Sequence, residues 1–278
     1  MRIPQLTLAA LLAGPALCAT AQAGVYLESV DKKLDGSQAP TTSKLWFDDG
    51  RMRTEGRNEQ QVVLFKDQTL YTLDSKTKSY LAIDKATAER MGAQAAAMKK
   101  QMEARMAAMS PEQRKRMEEM MAKVGKGAGA AMLPGAKEPQ RVLKNSGRTE
   151  TVAGIKCTVW EVFEDGAKDQ EMCAAPAGSL PGGDEVVKTF RAIGEAMKSF
   201  TANLGNSGSE LSNRPWRDME TIHGVPILTR QFDDGKATSE MRLTVVRKES
   251  VPAASFEIPA GYTRKTLPFG QAGARDAD

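Results

Sequence analysis

Alternating polar and apolar residues predict that most of the chain forms short β-strands. In Glu240–Val245 every second residue is apolar, which gives a strand one face for a core and one for solvent. Because the connections are short, we expect a consecutive antiparallel meander. The pattern predicts strands over 25–33, 42–47, 51–56, 62–65, 69–73, 80–83, 142–150, 155–163, 167–174, 216–222, 225–232, 237–247 and 256–258.

An aromatic residue followed by two acidic residues and glycine occurs three times, at 47–50, 163–166 and 232–235. Glycine suits the left-handed position of a tight three-residue hairpin loop, and aspartate tolerates the neighbouring turn geometry. A catalytic carboxylate cluster would need these acids close together, whereas hairpin tips face solvent far apart. The motif therefore predicts three hairpins.

Two helical segments interrupt the strands. The first, 85–124, divides at Ser110-Pro111-Glu112-Gln113, where Ser110 is an N-cap and Gln113 completes a capping box. This predicts helices over about 85–108 and 111–124, followed by a flexible Gly/Ala/Pro-rich linker over 125–139. The second segment, 184–204, has one apolar face that suits a lid or wall over a sheet, formed by Val186, Phe190, Ile193, Met197, Phe200 and Leu204.

A methionine stripe runs along the first helix, at Met98, Met102, Met106 and Met109. The spacing favours a structural face built from adaptable side chains. A second interpretation is an adaptable surface or gate for lipid tails or apolar protein segments. A third is capture of Cu(I) by thioethers, although no histidine or cysteine lies nearby in the sequence.

The amino terminus has the three parts of a cleavable signal peptide. Arg2 precedes an apolar run over 6–17, and Ala21-Gln22-Ala23 forms an A-x-A site. The run is shorter than the roughly 18 to 20 residues of a spanning helix. We therefore predict cleavage after Ala23, export to the periplasm, a single domain over 24–269 and a disordered tail over 270–278.

Composition argues against several functions. The chain has 39 basic and 35 acidic side chains, a balance too even for a nucleic-acid-binding protein. The sequence has one histidine, His223, and therefore no His-rich metal centre. It also has no nucleophile motif and no evident acidic partner for His223, which argues against hydrolase-type catalysis. The sequence predicts no enzyme, no cofactor and no metal.

Removal of the signal peptide leaves two cysteines, Cys157 and Cys173. An even pair in an oxidising compartment predicts a disulfide. If the hairpin between them is centred on Asp165, the two cysteines lie directly opposite each other. A redox-active or metal-binding pair is the alternative, but C-x-x-C spacing and further ligands are missing.

Several segments together are similar to a known family. They are 45–55, 62–67, 70–80 and 256–262, and they resemble exported bacterial proteins with a domain of unknown function. That family resembles the LolA/LolB-like lipoprotein-carrier superfamily of periplasmic half-barrels. The resemblance covers about 25–83 and 142–262, and the Met-rich insertion at 85–124 departs from it.

The resemblance implies an α+β fold in which a curved antiparallel sheet carries helices across its concave face and encloses an apolar cavity. Members of the superfamily carry acylated lipoproteins or other lipids. We therefore predict a periplasmic, non-enzymatic protein that binds a lipid, an acyl chain or another hydrophobic ligand, including acylated or unfolded envelope proteins. The alternatives are a chaperone-like envelope protein that uses helices 85–124, Met-based copper handling and, last, a hydrolase.

Overall fold

The computed structural model describes residues 24–56, 60–110, 112–113, 116, 140–201 and 217–265. The predicted signal peptide, the linker over 125–139 and the tail over 270–278 lie outside these residues. So does most of the predicted helix over 111–124.

Twelve strands form one large, curved and unclosed sheet. Their order across the sheet is β12-β6-β5-β4-β3-β2-β1-β11-β10-β9-β8-β7. The strands are β1 (Gly24–Lys33), β2 (Thr41–Asp48), β3 (Arg51–Glu55), β4 (Gln61–Lys66), β5 (Thr69–Asp74), β6 (Ser79–Ile83), β7 (Arg141–Val152), β8 (Ile155–Glu164), β9 (Ala167–Ala175), β10 (Val225–Asp233), β11 (Lys236–Glu249) and β12 (Thr263–Arg264).

Two antiparallel meanders make up this sheet. Strands β1 to β6 follow each other in space, as do β7 to β11, and β1 pairs with β11 to join the two meanders. The short β12 runs parallel to β6, with Thr263 opposite Ser79. The predicted consecutive antiparallel arrangement is therefore confirmed within each meander.

The three acidic-Gly turns are hairpins, but their loops contain two residues instead of the predicted three. The residues that flank the loops pair directly: Asp48 with Arg51, Glu164 with Ala167, and Asp233 with Lys236. Both loop residues have positive φ, for example 48° at Asp49 and 72° at Gly50. Asp-Gly is favoured in such type I′ turns, whose twist matches that of the flanking strands.

Cys157 and Cys173 form the predicted disulfide, with their Cα atoms 5.3 Å apart. The predicted register is wrong, because Cys173 lies opposite Val159 and not opposite Cys157. The two-residue turn and a register shift at Val162/Phe163 displace the pairing from a hairpin centred on Asp165. The bridge is therefore diagonal between β8 and β9, and both cysteines are buried.

Within the described residues, the helices beside the sheet include α1 (Lys85–Ala107), α2 (Gly183–Thr201) and α3 (217–222), and residues 112–113 and 116 are also helical. Short 3-10 turns occur at Ala177–Ser179 and Ala253–Phe256. At the start of α1, the Asp84 carboxylate accepts a hydrogen bond from the Thr87 backbone N–H at 2.7 Å, as an N-cap does. The predicted capping box is also present, because Ser110 and Gln113 exchange backbone-to-side-chain hydrogen bonds at 3.1 and 3.2 Å.

Two predicted strands are wrong. The segment 217–222 is the helix α3, in which Met219 and Ile222 are buried three residues apart on one helical face. A strand would turn these two side chains to opposite faces of the sheet. The segment 256–258 instead ends a 3-10 turn that buries Phe256 completely, and strand pairing resumes only at β12.

The main core cluster joins both meanders to α2. It includes Phe47 of β2, Phe65 of β4, Ile227 of β10 and Val186 of α2, each at most 2% exposed. A smaller cluster centres on Met172 and is covered by Ile222 of α3. These clusters place α2 and α3 directly beside the cavities described next.

Candidate functional site

A cavity of about 490 Å³ lies between the sheet and α2. We call it cavity A. Most of its wall is apolar, supplied by strands of both meanders and by two helices: Leu27, Leu45, Met172, Val186, Phe190, Met219, Val225, Pro226, Met241 and Leu243. Its volume falls within the roughly 300 to 1,000 Å³ of typical small-molecule sites. An apolar cavity of this size accommodates an apolar ligand.

A second cavity of about 280 Å³, cavity B, lies further along α2. Its apolar wall combines Ile193 and Met197 of α2 with Ala88 of α1 and with Phe65 and Leu70 of the sheet. The predicted apolar face of α2 is therefore divided, with Val186 and Phe190 lining cavity A and Ile193 and Met197 lining cavity B. One helix thus forms a wall of both cavities.

The amino-terminal end of α2 is fixed to the sheet. Glu185 accepts hydrogen bonds from the Gly50 backbone N–H at 2.6 Å and from the Thr189 hydroxyl at 3.2 Å. Gly182 has a φ of 73°, and a Cβ there would lie 2.2 Å from a methyl carbon of Val25. Glycine is therefore required for this approach, and the wall of cavity A starts from a fixed point.

One end of cavity A is polar. Arg141, the first residue of β7, donates to Asp218 of α3 at 2.6 Å and to Glu164 at 3.0 Å. Asp169 lies 3.7 Å from the same guanidinium group and also lines the cavity. Burial opposes the charge on Arg141, but its hydrogen bonds to Asp218 and Glu164 outweigh burial and raise its pKa.

A row of charged residues crosses β8, β9, β10, β11 and β1. We call it the ionic row; its members pair strand by strand and are Glu161, Glu171, Arg230, Glu240 and Lys32. Arg230 donates to Glu240 at 2.9 Å and, through both terminal nitrogens, to Glu150 at 2.7 and 3.0 Å. The Glu171 and Glu240 side chains are only 8% exposed.

Neighbouring cations compensate the buried carboxylates of the ionic row. Burial opposes ionisation of Glu240, but hydrogen bonds from Arg242, Arg230 and Lys32 outweigh it and lower its pKa to about 2. The same competition between burial and hydrogen bonds, here from Lys168 and Arg148, lowers the pKa of Glu171. The surrounding cations therefore stabilise the ionised forms of Glu171 and Glu240.

The structure locates only part of the predicted site. Val186, Phe190, Ile193 and Met197 lie together along α2, on the two cavities. Phe200 and Leu204 lie outside the residues whose side chains are described, as do the side chains of Met98, Met102 and Met106. Met109 is partly exposed at the end of the first helical segment. The methionine stripe therefore stays a prediction.

Sequence reasoning missed the polar end of cavity A. Arg141 and Asp218 are 77 residues apart in the chain, and no local motif links them. The strand predicted over 216–222 also gave Asp218 the wrong geometry. His223, the one histidine, is exposed and has a φ of 49° at the end of α3, where it acts as a helix-terminating residue.

Within the described residues, no cluster of three or more His, Cys, Asp or Glu side chains has a geometry suited to holding a metal ion. The helices in this part of the chain include none with the length and apolar character needed to cross a membrane.

These features define a protein with a large curved sheet and a helix-walled apolar cavity. The family model described as "Domain of unknown function (DUF4412)" matches residues 91–262, more than half of the chain, and the chain belongs to this family. No curated protein sequence matches the chain.

Solved structures similar to this chain include an uncharacterized conserved protein from Thermus thermophilus, with 6% identity, 87% and 90% of the two chains covered and a TM-score of 0.42. The MucA/MucB complex of Pseudomonas aeruginosa has 11% identity, 87% and 56% coverage and a TM-score of 0.32, so this chain spans about half of that structure's length. A LolA superfamily protein from Nitrosomonas europaea has 7% identity, 84% and 89% coverage and a TM-score of 0.25.

Proposed function

We propose that this protein is a non-enzymatic binding protein of the bacterial periplasm that holds a lipid, an acyl chain or another hydrophobic ligand in cavity A. The observation that carries the proposal is the apolar wall of a cavity of about 490 Å³. The sheet serves as the container, and α2 serves as its lid or wall. Export through a signal peptide at 1–23 and a half-barrel with its helices on the concave face are parts of the same proposal.

The composition of the cavity supports binding over catalysis. Leu27, Leu243 and Phe190 supply a wall without titratable groups, and the charged lining residues Arg141, Asp169 and Asp218 lie together. Burying apolar ligand surface against such a wall gives roughly 25 cal/mol for each Å² removed from water. A few polar groups at one end then orient the ligand, as is usual in small-molecule sites.

The first experiment measures what the exported protein carries. Protein purified from the periplasm should release co-purified lipid in native mass spectrometry and on solvent extraction. It should also bind 1-N-phenylnaphthylamine, an apolar probe whose fluorescence rises in an apolar environment. A lipid-free protein that fails to bind the probe would contradict the proposal.

A matched pair of variants assigns the binding to cavity A. Met241→Arg puts a charge into the cavity wall and should weaken probe binding at least tenfold, because a charge buried among apolar groups is strongly unfavourable. Thr244→Arg makes a similar change three residues along the same strand, at an exposed position away from both cavities, and should leave binding unchanged. Circular dichroism of both variants checks that the sheet is retained.

A further inference from the structure

Arg141 has one donor that its protein partners leave unused. Its terminal nitrogens face the carboxylates of Asp218, Glu164 and Asp169, so the guanidinium charge is already compensated. Its Nε–H is buried and has no hydrogen-bond partner. The same side chain lines the polar end of cavity A, next to Gln170.

A buried donor without an acceptor is costly, because it has lost water and gained nothing in return. A ligand oxygen at the polar end of the cavity would supply the missing acceptor. A neutral carbonyl or hydroxyl oxygen does this without adding charge. A carboxylate would bring a further negative charge close to Asp218, which is already buried.

We propose that Arg141 and Asp218 together determine the head-group specificity of cavity A. They select amphiphiles in which the apolar chain ends in a neutral carbonyl or hydroxyl oxygen over those that end in a carboxylate. Arg141 acts as a binding residue through its Nε–H, and Asp218 acts by holding the guanidinium group and by repelling anions. This inference rests on the proposed function, since it concerns the ligand of the same cavity.

The test compares two ligands with the same apolar chain. 1-Monopalmitoylglycerol and palmitate displace 1-N-phenylnaphthylamine from the delipidated full-length mature protein at pH 7.5, below their critical micelle concentrations. The monoglyceride should bind about tenfold more tightly than palmitate, because either ligand can accept the Nε–H but only the carboxylate adds a negative charge beside Asp218 and Asp169. Equal binding, or tighter binding of palmitate, would overturn the inference and leave the proposed function standing.

Two variants separate the hydrogen bond from the charge. Arg141→Lys keeps the positive charge beside Asp218 but removes the Nε–H, so the monoglyceride should bind about tenfold more weakly than it binds the wild type. Asp218→Asn keeps Arg141 and removes one negative charge, so palmitate should bind several-fold more tightly than it binds the wild type. Unchanged affinity for the monoglyceride in Arg141→Lys would overturn the role of Arg141.

Arg148→Lys is the matched control, because Arg148 lies on the same strand, is 52% exposed and does not line the cavity. It should keep both the wild-type affinity for the monoglyceride and the full preference over palmitate. Thermal unfolding of each variant shows whether a change in preference accompanies loss of the fold. If the wild type binds neither C16 ligand nor the apolar probe, the proposed function itself is wrong. If it binds the probe and both C16 ligands equally, only the proposed specificity is wrong.

Discussion

Two neighbouring rows of residues that cross strands β8 to β11 differ sharply in chemistry. The row Trp160, Met172, Thr229 and Met241 pairs across β8 to β11, and three of its members line cavity A. We call it the cavity row. The ionic row is displaced from it by one residue on each strand, as Glu171 is from Met172 and Arg230 from Thr229. Because successive side chains in a strand point to opposite faces, the two rows lie on opposite sides of the sheet.

The difference shows that polarity and exposure do not coincide in this sheet. Glu171 and Glu240 are buried although they belong to the ionic row. Met241 is only partly buried although it is an apolar member of the cavity row, because an open cavity lies beside it. One face is stabilised by compensated charge, and the other leaves apolar surface available for a ligand.

The largest expected effect comes from breaking the ionic row at Arg230. Arg230→Met removes the cation shared by Glu150, Glu171 and Glu240 and should destabilise the fold by about 3 to 5 kcal/mol. The free energy of unfolding, from urea denaturation, measures the loss. Arg264→Met, which removes an exposed ion pair with Asp84, should cost less than about 1 kcal/mol. Equal losses of unfolding free energy in the two variants would show that burial does not determine the cost of removing an ion pair.

The ionic row also predicts how stability depends on pH. The pKa of Glu240 is about 2 in the folded protein and 4.5 in an unfolded chain, so folding favours the ionised form. Its contribution is fully present above about pH 4.5, amounts to about 3 kcal/mol, and is lost as pH falls towards 2. Urea denaturation at pH values between 7 and 2.5 should show this decline, and Glu240→Gln should flatten it.

The control for the pH series is Glu257→Gln, which changes a carboxylate that is 62% exposed. It should leave the acid dependence of stability close to that of the wild type. If Glu240→Gln and Glu257→Gln give the same pH profile, the ionic row does not set the response to acid.

The cavity row should respond to a different change, the loss of volume. Met172 packs against Val162, Ala174 and Ile222 and also lines cavity A. Met172→Ala should destabilise the fold by about 2 kcal/mol, the lower end for such truncations, because one side already faces open space. The volume-conserving Met172→Leu should cost less than about 1.5 kcal/mol.

Probe binding by Met172→Ala and Arg230→Met tests whether the two faces of the sheet act independently. The alanine variant enlarges cavity A and should still bind 1-N-phenylnaphthylamine at temperatures where it is folded. Loss of probe binding in folded Arg230→Met protein, but not in Met172→Ala, would contradict the separation of the two faces.

Local sequence patterns predicted the meanders, the three hairpins, the capping box and the apolar face of α2, because each depends on residues close together in the chain. The disulfide was also predicted, but its predicted register is wrong, since a β-bulge near Val162 has no sequence signature of its own. A segment as short as 216–222 fits both a helix and a strand, and tertiary burial of Met219 and Ile222 decides between them. The polar end of cavity A depends on contacts between β7 and α3, which only the fold brings together.

The smallest expected effect is at the end of α3, the helix that covers the cavity row. His223 occupies the left-handed position after the helix with a φ of 49°, and the Gly224 backbone N–H donates to the Met219 carbonyl at 3.3 Å, as in a Schellman motif. Glycine adopts this conformation without steric cost, so His223→Gly should stabilise the fold by about 0.5 kcal/mol. His223→Val should destabilise it, because a β-branched residue is strained at positive φ. Thermal unfolding of the two variants should therefore move the midpoint in opposite directions, whereas shifts of the same sign would show that His223 acts through its imidazole and not through its backbone.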